Sequence, residues 1–306
     1  MHSFDPIALE CLAAVIEEGG FDRAAQRLAI TQSAVSQRLR ALESRAGTVL
    51  LVRTRPLRLT TAGQLLLKHT KMLRLIRADL ERDLADLAPK LGGPREEERI
   101  SIAINADSIA TWALPALNVL ARQGLPIEII ADDQDFTHER LRAGQVLGCV
   151  TTLKAALRGC RVSPLGYMRY IVVATPELAR QAFADQLLAQ HNFGVLPFIA
   201  FNRKDDMPGV FISKAFGLKS VRLNKVFVPS SEGQVRALRS GWGVAVVPQL
   251  LVQPELDAGT LVNVCPGFSL PIALYWHCWN LSSGVLDALT AALKKTALEQ
   301  LENTEK

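Results

Sequence analysis

The sequence predicts an α/β protein in two parts: an all-α N-terminal unit with a short basic hairpin, then a larger two-lobed α/β body. Three observations carry this. Apolar residues in the first 90 positions recur at helical spacing, interrupted only by one hairpin-like stretch at 49–63. From residue 99 the pattern becomes short apolar runs alternating with capped helical stretches, as in open, mainly parallel sheets. Charge divides at the same place. Residues 21–77 hold twelve Lys or Arg against Asp22 and Glu43, a window of +10; with +5 for the whole chain, the remainder carries −5. A basic module on a mildly acidic body points to a polyanion-binding unit attached to something else.

The elements follow in order. Residues 5–18, DPIALECLAAVIEE, read as a helix with Asp5 as N-cap, Pro6 at N1 and an apolar stripe of Leu9, Leu12, Val15 and Ile16. Gly19-Gly20 ends it. FDRAAQRL is a short helix with Ala24, Ala25 and Leu28 inward, and Thr31 caps a further helix over 32–46. Two short helices about three residues apart form a helix-turn-helix, where alanines let the second helix cross closely. Residues 49–63 read as a β-hairpin wing bearing Arg53, Arg55 and Arg58. Thr60 or Thr61 caps a long helix over about 62–88. Its Leu66, Leu73, Ile76, Leu80, Leu84 and Leu87 run nearly in heptads, so a partner helix is expected. APKLGGPREEER is a linker. The division predicted is 1–61 for the winged unit, 62–90 for the linker helix, 91–98 for a hinge and 99–306 for the body.

In the body, strands are expected at 99–105, 127–133, 147–152, 170–175, 193–201, 221–228, 243–248, 261–264 and 272–279. Ser108, Thr137, Ser231 and Ser283 read as helix openers. An internal reprise of strands suggests two similar lobes. Ligands in such folds bind at the carboxyl ends of strands and in the crevice between lobes.

Composition narrows the function. Cys11, Cys149, Cys160, Cys265 and Cys278 are single, odd in number and without metal-ligand spacing, which fits a reduced compartment. No secretory leader is read at MHSFDPIALE and no apolar run reaches about 18 residues, so the expectation is a cytoplasmic protein without a membrane partner. The five histidines are isolated and no metal or cofactor is expected. Nucleophile-elbow, P-loop, zinc-protease and dinucleotide fingerprints are absent, so no catalytic residue is assigned.

The helix at 32–46 carries the sharpest signal. Opposite its apolar Val35, Leu39 and Leu42 lie Ser33, Ser36, Gln37, Arg40 and Ser44. An α-helix fits the major groove of B-DNA, where such side chains donate and accept at base edges. Arg23 and Arg27 on the preceding helix suit phosphates. The whole reads as sequence-specific duplex DNA binding.

FDRAAQRLAITQSAVSQRLRALESRAGTVLLVRT…LTTAG resembles the N-terminal domain of LysR-type transcriptional regulators, without gaps over about 5–88. AINADSIATW, NRKDDM, VPSSEG and LYWH resemble the ArgP (IciA) subgroup. The resemblance implies a winged helix-turn-helix, an antiparallel linker-helix homodimer, a homotetramer on promoter DNA, contact with RNA polymerase and a periplasmic-binding-protein-like effector domain. It further implies an activator responding to lysine or arginine, with control of a basic amino-acid exporter gene. It assigns DNA contacts to Gln32, Ser33, Ser36, Gln37, Arg40, Arg53 and Arg55, alongside Arg23.

A basic amino acid needs carboxylates for its cations and neutral donors for its carboxylate. Strand ends supply Asp107 and Ser108, Thr151, Asp205 and Asp206, and Ser231 with Glu232, whose helix N-terminus suits an α-carboxylate. Trp112 either lies along the ligand's methylenes or belongs to the core. Two rival classes stand beside this: an architectural or replication-origin DNA-binding protein without effector control, and an enzyme built on the same two-lobed fold.

Overall fold

The computed structural model describes residues 4–52, 54–87, 99–132, 137–183 and 187–303. The hinge expected at 91–98 and the wing residue Arg53 lie outside the described residues.

Helices α1 (Pro6–Glu17), α2 (Phe21–Arg27) and α3 (Gln32–Ala46) pack into one small core, followed by strands β1 (Leu51–Val52) and β2 (Arg58–Leu59). The Asp5 carboxylate accepts the Ile7 N–H at 3.1 Å, and Pro6 occupies the first turn, as expected. Leu12, Val15, Ala24, Val35, Leu39 and Leu42 are buried together. Each large aliphatic side chain there contributes about 1.5–3 kcal/mol. The α2–α3 turn closes through Ala29 at φ +52°, a left-handed conformation that L-residues adopt at a cost.

The 27-residue α4 (Thr61–Leu87) starts where Thr60 Oγ1 accepts the Gly63 N–H at 3.1 Å, which settles the cap on Thr60. One side of α4 is buried at Leu67, Thr70, Arg74 and Leu75. On the other, Leu65, Leu73, Ile76 and Leu80 stand 49–57% exposed. The heptad residue Leu66 is half-buried against the winged core instead.

The body runs β3 (Ile100–Asn105), α5 (Ala106–Ser108), a π-helical segment (Ile109–Ala113), α6 (Leu114–Arg122), β4 (Ile127–Asp132), α7 (Thr137–Arg142) and β5 (Gly148–Thr151). It continues with β6 (Cys160–Ala174), α8 (Pro176–Ala182), β7 (Phe198–Ala200), α9 (Met207–Phe216), β8 (Lys225–Phe227), α10 (Ser231–Arg239) and β9 (Val244–Pro248). Last come α11 (Gln249–Asp257), β10 (Val262–Asn263), β11 (Leu270–Trp279) and α12 (Gly284–Gln300).

Strand order is β4-β3-β5-β11-β6-β9-β7-β8, with β10 on β6. β3 pairs in parallel with β4 and β5, and β7 in parallel with β8 and β9. These are the two lobes. Long antiparallel strands β6 and β11 join them, from Leu270↔Tyr170 to Trp279↔Cys160. β11 meets β5 at one end, and β6 meets β9 at the other.

Several expectations are corrected. The sheets are not mainly parallel, because β6, β10 and β11 pair antiparallel. β6 begins at Cys160, since half-buried alternation such as RVSPLGYMR hides a strand within a polar-looking stretch. The strand expected at 193–201 contracts to Phe198–Ala200, because 190–194 turn. Ser108 lies inside its helix, which starts at Ala106. Ser230, not Ser231, caps α10 through the Gly233 N–H at 3.1 Å. Ser283 caps α12 as expected.

Candidate nucleic-acid interface and inter-lobe cleft

α3 is oriented by its own chemistry. Thr31 Oγ1 accepts the Ala34 N–H at 3.2 Å and fixes the N-terminus. Val35, Leu39 and Leu42 anchor one face, leaving Gln32, Ser33, Gln37, Arg40 and Ser44 exposed and Ser36 half-buried on the other. Its single acid turns away from that face: Glu43 Oε1 accepts the Leu50 N–H at 2.9 Å, tying α3 to the wing. The outward surface therefore presents amide, hydroxyl and guanidinium groups, with the Ala41 methyl among them and no acid. Arg23, Arg55 and Arg58 are exposed beside it. Arg27 departs from expectation. It pairs with Glu17 at 2.6 Å and Glu18 at 3.3 Å, so its charge is held within the unit.

Behind the winged unit lies an ion network centred on one buried arginine. Arg74 on α4, 8% exposed, pairs with Glu10 and with Glu17 at 3.1 Å; Lys71 lies 3.6 Å from Glu17. Burial pushes the Glu17 carboxyl up, but Arg74, Lys71 and Arg27 together bring it below the ordinary glutamate value. Lys71 also donates to the Gln145 carbonyl at 2.5 Å, and so joins α4 to the first lobe. Gly144 makes that approach feasible: its φ is +72°, and a Cβ there would sit 2.8 Å from Lys68 Cα. A cavity of about 1190 Å³ opens between α1, α4 and this lobe. It lies apart from the sequence-predicted effector residues, none of which lines it.

Those residues gather between the lobes only in part. Asp107, at the β3–α5 junction of the first lobe, reaches across to the second, where its Oδ1 accepts from Ser231 Oγ at 2.6 Å. Its Oδ2 accepts from the Tyr170 hydroxyl on β6, also at 2.6 Å. Burial raises the Asp107 carboxyl above the ordinary aspartate value, against the lowering effect of the Ser231 and Tyr170 hydrogen bonds; Asp205 nearby raises it further. Such a carboxylate gains from a cation brought beside it.

The others divide. Ser108 Oγ accepts the Trp112 indole N–H at 3.1 Å, and Trp112 is 1% exposed among core residues, which places it as packing. Thr151 is buried at the end of β5. Asp205 caps its own loop, Oδ2 accepting the Phe201 N–H at 2.7 Å and Oδ1 the Met207 N–H at 2.9 Å. The Asp206 side chain is 88% exposed, 4.0 Å from Lys225 Nζ, and Glu232 is exposed on the first turn of α10. Sequence reasoning missed Tyr170, whose phenol is buried within β6, a strand that the local pattern shows only from residue 170 onward. It also missed Asn105, which is 3% exposed with Oδ1 lacking a hydrogen-bond partner among the described residues.

Comparisons with known proteins complete the description. Residues 7–64 match the family of bacterial regulatory helix-turn-helix proteins, lysR family, and residues 94–300 match the LysR substrate binding domain. The chain is 38% identical to the transcriptional regulator ArgP of Photobacterium profundum over 304 residues, 98% of this chain and 99% of that protein. It superposes on the crystal structure of ArgP from Mycobacterium tuberculosis with TM-score 0.82 and 36% identity, covering 99% of this chain and all of that one. Full-length LysG from Corynebacterium glutamicum, solved with the effector Arg bound, matches with TM-score 0.73 and 35% identity over 97% of this chain and 99% of that one.

Proposed function

Because the chain belongs to the LysR family of bacterial transcriptional regulators, we propose that its effector is a basic amino acid, lysine or arginine, held between the lobes of the body. The protein is a DNA-binding transcriptional regulator, not an enzyme. The observation that carries the effector reading is Asp107, a carboxylate enclosed at the lobe junction and held by hydroxyls from both sides of it. A ligand ammonium is the charge that site lacks. The LysG relative bound to Arg supports the same ligand class.

Asp107, Ser108, Thr151 and Ser231 form the floor of the site in this reading. Exposed Glu232, and Asp206 on release from Lys225, are the carboxylates that meet a side-chain cation, while Asp205 and Trp112 act as structure. Gln32, Ser33, Ser36, Gln37 and Arg40 read bases, and Arg23, Arg53 and Arg55 hold phosphates. The exposed stripe of α4 pairs with its copy to make the homodimer, two dimers form a tetramer on promoter DNA, and RNA polymerase is the further partner. The division at 61, 90 and 98 belongs to this reading.

The experiment is a thermal-shift screen of the full-length protein against the twenty amino acids. A ligand selective for the native state at 100 times its Kd adds about 2.7 kcal/mol. Lysine or arginine alone raising Tm supports the reading. A rise with an acidic or apolar amino acid instead, or with none, refutes it.

A further inference from the structure

We propose that Leu301 and Glu302, the residues that follow α12, form a strap across the hinge of the body. The strap holds the two lobes in their bridged arrangement, and the lobes part only when it lets go.

Strand pairing places the hinge. β6 pairs with β11 from Cys160 to Tyr170, and β11 pairs with β5 of the first lobe at Tyr275–Cys278. From Tyr170 to Val173, β6 pairs with β9 of the second lobe. Residues 165–169 of β6 lie between these two zones. That stretch opens on a bulge: Leu274 faces Gly166 but Tyr275 faces Pro164, so Leu165 is the extra residue. A bulge bends and twists the strand that carries it. A change of angle between lobes is absorbed at a few residues of this kind.

Glu302 lies against this stretch. The Tyr167 N–H donates to the Glu302 carbonyl at 2.8 Å, and the Glu302 N–H donates to the Tyr167 carbonyl at 3.1 Å, an antiparallel bridge. Two residues on, Arg169 forks onto the Glu302 carboxylate, Nε donating to Oε1 at 2.6 Å and Nη2 to Oε2, while its Nη1 donates to Ser269 Oγ just before β11. Gly166 makes room. Its φ is +133°, and a Cβ there would lie 2.8 Å from the Glu302 carbonyl oxygen and 3.0 Å from Leu301 Cβ.

The other end of the strap is rooted in the first lobe. Leu301 belongs to the main core with Leu286, Leu289 and Leu293 of α12. Thr290 of α12 accepts the Trp276 indole N–H at 3.0 Å, and Trp276 pairs with Val150 of β5. The strap therefore ties a first-lobe helix to the last residues of β6 before the second lobe. It is also light. The Glu302 side chain is 44% exposed, and one bridge with one ion pair opens locally without unfolding the body. In the same structure the lobes are bridged by Asp107 and Ser231, so the strap is made when they are together.

The test uses the full-length protein without ligand. Pulsed dipolar EPR measures the inter-lobe distance between nitroxides on keto amino acids placed at exposed Ala121 of the first lobe and Trp242 of the second, diluted into unlabelled protein. Hydrogen exchange follows the Tyr167 amide, and melting curves establish folding. Glu302→Pro removes both the N–H given to Tyr167 and the carboxylate gripped by Arg169. It is expected to speed Tyr167 exchange at least about fivefold, the equivalent of one hydrogen bond, and to add a second, longer distance absent from the parent. Arg169→Glu, which leaves the backbone of the strap intact, should add the same longer distance, and combining it with Glu302→Arg should restore the parent distribution. Faster Tyr167 exchange with unchanged distances would make the contact a local strand-end feature and overturn the proposal. Distances that lengthen in Arg169→Glu and stay long in the charge-reversed pair would overturn it as well. No ligand enters the measurement, so a failure of lysine and arginine to bind would defeat the effector reading and leave the strap standing.

Discussion

Replacing Leu73 and Leu80 with glutamate should leave α4 folded and separate the protomers. In one chain, Leu73, Ile76 and Leu80 are 55%, 49% and 56% exposed, all on the side of α4 turned away from the winged core and the first lobe. Complete burial of such a side chain contributes about 1.5–3 kcal/mol, so covering the open half contributes about 1 kcal/mol per residue. Three residues on each of two protomers then supply about 6 kcal/mol, or about four decades in the dimer Kd. Glutamates at two of those positions remove most of this and add carboxylates that resist desolvation. Sedimentation velocity over a dilution series, with far-UV circular dichroism, reads both quantities. The expected result is native helicity with at least a thousandfold weaker self-association. Native helicity with unchanged mass at nanomolar concentration would refute the reasoning.

Arg74→Met should destabilise the protein by about 1–3 kcal/mol, because the part-exposed Glu10 and Glu17 would lose the buried cation that both of them pair with; denaturant titration measures it. Glu17, lowered in the folded state, contributes stability that is present above its unfolded value and lost as pH falls through the folded one. Acid melts should therefore show the Glu17→Gln variant losing less stability below about pH 4.5 than the parent. Asp107 has the opposite sign. Its raised carboxyl favours folding below its unfolded value, and that contribution disappears as pH rises through the folded one, so Asp107→Asn should stabilise the ligand-free protein at neutral pH and not in acid. Ala29→Gly should raise stability by up to about 1 kcal/mol, since glycine adopts φ near +52° without strain; a lower Tm would show the turn is not strained.

The winged unit was legible almost residue by residue. Its signals are local: Asp5 and Thr31 cap helices through their own neighbours, and Val35, Leu39 and Leu42 form a stripe that only a helix buries. The body was legible as a class but not in its connections. Nothing in the local pattern of CRVSPLGYMR reveals a strand that runs through both lobes and pairs antiparallel with β11, because pairing is settled by contacts more than a hundred residues away. The cleft divided the same way. Asp107 is visible as a carboxylate at a strand end, but its partners Tyr170 and Ser231 come from 63 and 124 residues further along the chain. Asp205 looked equally suited to a ligand, until the loop that it caps took both of its oxygens. Arg27, read as a phosphate contact, was claimed by Glu17 and Glu18.

The central claim is that α3 reads bases and the body reports an amino acid to it. Fluorescence anisotropy of the full-length protein tests this on duplexes carrying the promoter of a basic amino-acid exporter gene and on scrambled duplexes, each with and without lysine or arginine across a salt series. The account predicts preferential binding to the promoter and a change in affinity or footprint with the amino acid. It also predicts that Gln37→Ala lowers the preference by about 1–3 kcal/mol while leaving the salt slope unchanged, because a base contact rather than a phosphate contact is lost. Equal loss on promoter and scrambled DNA in Gln37→Ala, together with promoter binding indifferent to lysine and arginine, would contradict it.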